Sequence, residues 1–266
     1  MRFLLFSLSL SLSAQTAPAP ILGKLAAVQA ANDKRAEQYA YSEDTERYAI
    51  GKDGAAHLKL STTHEVIFVE GLRYRKLVSR NGAPLSAKEK AEVAKAMSET
   101  AAERRRTHPP APPGGRITLR TPLHTRTADL GSIAELLTLF ECRSAGEEDV
   151  RGRKAWIVEC TPKPGAAATE HDRQVQVFRR KFWVDQQDNV LARALYTVDR
   201  PHELMQPGSN MLFEFEKVDD TWQAVRMTIE FTEDKQKEYH PTQRTVYRET
   251  AFRKFDVQST VTPIER

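Results

Sequence analysis

Phe140-Glu141-Cys142-Arg143-Ser144-Ala145-Gly146-Glu147-Glu148-Asp149-Val150-Arg151-Gly152-Arg153-Lys154-Ala155-Trp156-Ile157-Val158-Glu159-Cys160-Thr161-Pro162-Lys163-Pro164 is the stretch on which the fold turns. It reads as two strands joined by a tight turn. Asp149 to Arg153 fits a three-residue loop, a type I turn followed by Gly152 in the left-handed conformation, where a side chain would clash. With Asp149 facing Arg153, the same register sets Cys142 opposite Cys160, on the face that also carries Phe140, Trp156 and Val158. These are the only two cysteines of the chain. An oxidising compartment favours a bridge between them. A loop one residue longer or shorter would put them on opposite faces and leave two buried thiols, so both readings stand.

The same alternation runs on downstream. Val225, Met227, Ile229 and Phe231 alternate with Arg226, Thr228, Glu230 and Thr232, as in an antiparallel strand with one wet face. Met211, Phe213 and Phe215 repeat the pattern one strand earlier. Phe182-Trp183-Val184-Asp185, a polar Gln186–Asn189 turn and Val190 to Val198 make a further hairpin.

Upstream, Ile21, Leu25 and Val28 share one stripe of a helix running from Ile21 to about Gln38, with Leu22 and Ala36 at its edge. Asn32 and Arg35 interrupt that stripe in its second half. Strands follow over 39–50, 57–69 and 73–79. Ser86-Ala87-Lys88-Glu89 is a capping box opening a helix to about Arg106, and its stripe of Ala87, Ala91, Ala94, Met97 and Ala101 can bury little area. Such a helix should sit loosely on the surface. His108 to Gly115 holds four prolines and cannot pair in a sheet; it is a domain boundary or, in better agreement with the strands that follow, a surface loop at 107–116. A second capping box, Ser132-Ile133-Ala134-Glu135, starts a short helix.

Of 266 residues, 40% are hydrophobic and 29% charged, which suits a core built by alternation. The net charge of +4 comes from 40 basic against 36 acidic residues with the signs interspersed, so a nucleic-acid partner is not indicated. Met1-Arg2 and the apolar run from Phe3 to Ala14 read as a signal peptide at 1–14, the alternative being a buried first strand. A short linker at 15–20 and a single domain at 21–266 complete this reading. The mature protein is expected in the periplasm or secreted, in solution and able to associate with a membrane surface.

Motifs of known chemistry are missing. His64-Glu65 lacks the second histidine of a zinc helix, since position 68 is Phe, and the segment alternates as a strand. There is no nucleophile elbow, phosphate loop or dinucleotide fingerprint, and neither metal nor cofactor is expected. Glu147-Glu148-Asp149 flank a turn as solvated charges. Arg104-Arg105-Arg106 close a helix, where cations suit the macrodipole; phosphate or anionic lipid is the sharper alternative.

The Phe140–Pro164 hairpin resembles one common in the outer-membrane lipoprotein-sorting superfamily: Phe-x-Val-x-Gly-Glu closing on Gly-Arg, then an aromatic-aliphatic strand ending in Thr-Pro-x-Pro. Phe182-Trp183-Val184-Asp185 and Leu191-Ala192-Arg193 resemble the next hairpin of that family. Cys142 and Cys160 stand where aliphatic or aromatic residues are usual, which suits a bridge filling core positions. The resemblance implies a mainly β (α+β) fold, a curved, unclosed antiparallel sheet or half-barrel with helices covering its concave face. It further implies a non-enzymatic carrier or binding protein for a lipid, lipoprotein or other apolar ligand, or an envelope sensor or scaffold that binds protein segments. A hydrolase with an unrecognised site is the third reading. Trp156, Trp183, Phe213 and Phe215 are the expected lining of the concave face, with Met97 on a helix serving as lid.

Overall fold

Residues 18–107, 118–120, 127–201, 205–235 and 238–255 are described by the computed structural model. The segment read as a signal peptide and the breaker-rich stretch after Thr107 lie outside them. Helix α1 spans Pro18–Ala36, so Pro18, Ala19 and Pro20 belong to its first turn rather than to a linker. Proline is tolerated there because the first amides of a helix have no intrahelical partner. Strands β1 (Tyr39–Ile50), β2 (Ala56–Val69), β3 (Leu72–Arg80) and β4 (Ala83–Pro84) form a meander, and α2 (Ala87–Thr107) follows. The short β5 (Thr118–Arg120) and β6 (Thr127–Asp129) pair apart from the main sheet, ahead of α3 (Ile133–Leu139). A second meander runs through β7 (Phe140–Val150), β8 (Arg153–Pro162), a short α4 (Glu170–Val175), β9 (Phe178–Asp185), β10 (Leu191–Val198), β11 (Asn210–Val218), β12 (Thr221–Lys235) and β13 (Glu238–Lys254).

The two meanders join where β1 pairs with β13, giving one antiparallel sheet in the order β4-β3-β2-β1-β13-β12-β11-β10-β9-β8-β7. The sheet is not closed; β4 and β7 are its edges. Its curvature follows from α1, which packs against both β12 and β7. Those strands are five spacings apart, about 24 Å in a flat sheet, whereas a helix with its side chains is about 10–12 Å across. Only a strongly curled sheet brings both to one helix.

Inside the curl, Ile21, Leu22 and Leu25 of α1 and Leu136 and Leu139 of α3 pack on Phe140, Val158, Phe178, Phe182, Tyr196, Met211 and Ile229. Full burial of each such side chain contributes about 1.5–3 kcal/mol. The interruption of the α1 stripe has a physical reason. Asn32 is buried because its side chain accepts from the Trp222 amide (2.8 Å) and donates to the Trp222 carbonyl (2.9 Å). Gln29, one turn earlier, accepts from the Leu191 amide. The helix thus docks by apolar contact at its start and by backbone hydrogen bonds toward its end.

The cysteines are bridged, Cys142 to Cys160. The loop that sets their register differs from the three-residue one expected. Val150 faces Arg153, leaving a two-residue turn with Arg151 and Gly152 both at positive φ, 55° and 79°. That is the hairpin turn whose twist matches the flanking strands. By itself it would shift the register by one, but a bulge between Ser144 and Glu147, with Gly146 at φ 104°, restores it. The tighter turn and the bulge therefore cancel.

The capping box at Ser86 is formed: the Ser86 amide donates to Glu89 (2.9 Å) and Ser86 Oγ accepts from the Glu89 amide (3.3 Å). No residue of α2 is buried, but its inward stripe is Val93, Met97, Thr100, Ala101 and Arg104, while Ala87, Ala91 and Ala94 are exposed. Arg104 fixes this orientation by donating to the carbonyls of Val69, Leu72 and Arg73 at the β2–β3 turn, and Arg105 pairs with Glu70 beside it. Two of the three consecutive arginines are therefore staples rather than an anion site. The carboxylates near the hairpin turn are also engaged: Glu148 accepts from Trp183 Nε1 and Arg193, and Asp149 from the Gly152 amide.

Candidate functional site

Cross-strand register places the inward-facing residues in rows across the sheet. One row runs Thr62, Thr45, Tyr247, Met227, Phe213, Ala194, Phe182 and Val158, from β2 through β1, β13, β12, β11, β10 and β9 to β8. A neighbouring row carries Leu60, Arg47, Thr245, Ile229, Met211, Tyr196, Arg180 and Cys160. A third begins at Leu77 and passes through His64 and Glu43 to Glu249. The inner face is therefore two-toned, apolar over β8 to β12 except for buried Arg180, and mostly polar or charged over β13, β1, β2 and β3, where Leu60 and Leu77 are exceptions.

The residues expected to line one site do not all meet. Phe213 and Phe215 stack with ring centroids 6.4 Å apart, and Phe213 meets Tyr196 edge-on at 5.7 Å. Trp156 packs against the same inner cluster. Trp183 does not: it lies between Phe182 and Val184 on β9 and so points to the opposite face, in a second cluster that includes Ala155, Ile157 and Ala192. Sequence alternation shows that Trp183 and Phe182 differ in face, but not which of them is inside. Met97 is also remote, since α2 packs on β2 and β3, far from β8 and β11 in the strand order. The concave half bearing Phe178, Phe182 and Tyr196 is filled by the protein's own side chains, all essentially inaccessible.

Between the two tones lies a seam. Phe215, Met227 and Phe231, on β11 and β12, are only partly buried while packing on the apolar cluster. Met227 faces Tyr247 and Phe231 faces Gln243 on β13, so partly accessible apolar side chains border the polar half.

That polar half was not legible as a site. Glu43 is buried, its side chain 9% exposed, ion-paired with Arg75 and accepting from Thr45 Oγ1. Its cross-strand neighbour on β13 is a second carboxyl, Glu249. Burial, reinforced by the Glu43 charge and offset in part by Arg73 and Arg75, pushes Glu249 up to about 8. Burial and the nearby Glu43 push the Tyr247 phenol up to about 12, and burial also raises Tyr41. His64 goes the other way, down to about 4, through burial and the guanidiniums of Arg75, Arg47 and Arg80. Arg73 lies over the Tyr41 ring and donates to the Ala36 carbonyl at the end of α1. The buried Nε of Arg47 and Nδ1 of His64 have no hydrogen-bond partner among the described residues. A period-2 pattern marks these positions as inward only once the pairing of β1 with β13 is known, and that contact is the most distant in sequence of any in the sheet.

Among the described residues no group of three or more metal-binding side chains is present, and no helix is long and apolar enough to cross a membrane.

No family model and no curated protein matches the chain. Solved structures similar to it include a DUF1329 family protein from Desulfovibrio piger, at 18% identity over 92% of this chain and 96% of that one, with a TM-score of 0.40. A LolA superfamily protein from Nitrosomonas europaea is 10% identical over 91% and 95% of the two chains, TM-score 0.35. An outer membrane lipoprotein-sorting protein domain from Vibrio parahaemolyticus is 8% identical over 90% and 95%, TM-score 0.35. The last of these is described as lipoprotein-sorting. Superpositions this loose say nothing of ligand or partner.

Proposed function

We propose that the chain is an exported, non-catalytic carrier or binding protein for an amphipathic ligand, such as a lipid or the acylated end of a lipoprotein. The ligand lies on the inner face of the sheet, along the seam between its apolar and polar halves. One observation carries this reading: Met227 and Phe231 stay partly accessible at the border with β13, beyond which the inner face carries Glu249, Glu43, Arg47, His64 and Arg75. Ionisable groups turned into a β domain cost stability that apolar residues would not. Departures of this kind from good packing gather at functional sites. Export is supported by the apolar N-terminal run and by the Cys142–Cys160 bridge, which suits an oxidising compartment. In this reading Phe213 and Phe215 line the ligand, Trp156 is a more distant member of the same face, and Trp183 and Met97 take no part.

Gently purified mature protein, examined by native mass spectrometry, tests the proposal. Bound lipid, or saturable uptake of a fluorescent fatty acid, is the predicted result. Repeated preparations free of lipid that also fail to take up the probe would remove it.

A second reading has one specific observation in its favour. Glu43 and Glu249 are paired carboxyls in unlike environments, one ion-paired to Arg75 and one held protonated near neutrality, the arrangement that acid–base catalysis uses. Turnover in a broad esterase and glycosidase screen, abolished in Glu249→Gln, would favour an enzyme instead.

A further inference from the structure

We infer that Arg47 is the contact for an oxyanion, a phosphate or carboxylate, and that the amphipathic ligand is therefore acidic at its head. The inference rests on the binding role proposed above and adds the chemistry of the head. Four guanidiniums serve the polar half, and three are already engaged, Arg80 with Glu89 of α2. Arg75 is paired with Glu43, and Arg73 donates one N–H to the Ala36 carbonyl and lays its face on Tyr41. Arg47 has no ion pair among the described residues, and its buried Nε has no acceptor. A buried donor left unmade costs about 1–3 kcal/mol, so its persistence calls for an acceptor. A guanidinium presents a planar fork of donors matched to a carboxylate or phosphate.

The surroundings fit the same ligand. His64, whose buried Nδ1 also has no hydrogen-bond partner among the described residues, lies near enough for Arg47 to bear on its protonation, as does Tyr247. Glu43 is neutralised by Arg75, and Glu249 keeps its proton near neutral pH, so neither carboxyl cancels the charge of Arg47. Arg47 faces Thr245, which faces Ile229 on β12, and Met227 and Phe231 flank Ile229 on the same face. Two strand spacings, about 10 Å, thus separate the cation from the accessible apolar seam. A head group and the first part of an acyl chain span that distance.

Isothermal titration with dihexanoyl phosphatidic acid, dihexanoylglycerol and inorganic phosphate tests the inference on the wild type, Arg47→Gln and Arg47→Lys. The phosphatidic acid is expected to bind at least ten-fold tighter than the diacylglycerol with the same chains. Arg47→Gln should reduce that preference to two-fold or less, and Arg47→Lys should retain an intermediate value, which also shows that the face still folds. Equal binding of both lipids by the wild type, or a preference that survives Arg47→Gln, overturns the oxyanion site while leaving the carrier role intact. Arg47-dependent binding of inorganic phosphate with no binding of either lipid upholds the oxyanion site and overturns the carrier role. No binding of any of the three overturns both.

Discussion

Breaking the Cys142–Cys160 bridge should cost about 3 kcal/mol. The two residues are separated by 18 in sequence, and closing a loop of about that length removes denatured-chain entropy worth roughly 3 kcal/mol at 25 °C. The site sharpens the expectation. β7 is an edge strand, so the bridge joins it to its one neighbour in the sheet, β8, while its other side has no ladder. For a domain of this size each kcal/mol moves the midpoint by about 2–4 °C, which predicts a loss of roughly 6–12 °C. The assay is thermal and urea unfolding of the oxidised protein, the fully reduced protein and a Cys142→Ala/Cys160→Ala variant, with free thiols counted in each. The variant should melt at or below the reduced protein, since Cys160 is buried and its shortening leaves a small cavity, and it should ignore reductant. A reduced sample with two titratable thiols and a midpoint within 1–2 °C of the oxidised one would refute the reasoning. The bridge would then constrain a hairpin that stays formed in the denatured chain.

Three further outcomes follow from named contacts. Asn32→Ala should destabilise by about 2–4 kcal/mol in urea unfolding, because it leaves the buried amide and carbonyl of Trp222 unsatisfied together. Glu249 releases its proton near its ordinary value in the unfolded chain but only near 8 when folded, so its contribution to stability is lost as pH rises from about 4.5 to 8. Glu249→Gln should flatten that slope and melt higher than wild type at pH 8 and above; a lower melting point there would contradict the assigned burial. Trp183→Ala should lower stability, since it removes a buried indole and its bond to Glu148, yet leave lipid affinity unchanged; Phe213→Ala should weaken both.

The elements were largely legible in the sequence because each has a local cause. Alternation defined β1, β8 and β12, and Ser-x-x-Glu fixed the starts of α2 and α3 within a residue. What escaped the sequence depends on pairing at a distance. Which face of β9 is inside, and hence that Trp183 is outside, follows from where α1 docks rather than from β9 itself. The alanine stripe of α2 lost to Val93, Met97 and Arg104 because the arginine finds three carbonyls at the β2–β3 turn, a contact no helical period encodes. α4 was missed because it has only six residues, and its cap uses Asp172 where a longer acid is usual. The polar inner half was invisible for the strongest reason: Glu43 and Glu249 are ends of the chain brought together by the β1–β13 junction. In the proposed function, the same junction sets where the ligand sits.

Photo-crosslinking with a phosphatidic acid bearing a diazirine in its acyl chain, followed by peptide mapping, tests that placement most directly. Adducts at Phe215, Met227, Phe231 or Tyr247 are predicted, on strands β11 to β13, and they should fall away in competition with unlabelled lipid. Adducts concentrated on the outward residues Trp183 and Leu195, or spread without preference over both faces of the sheet, would contradict a ligand held inside the curl.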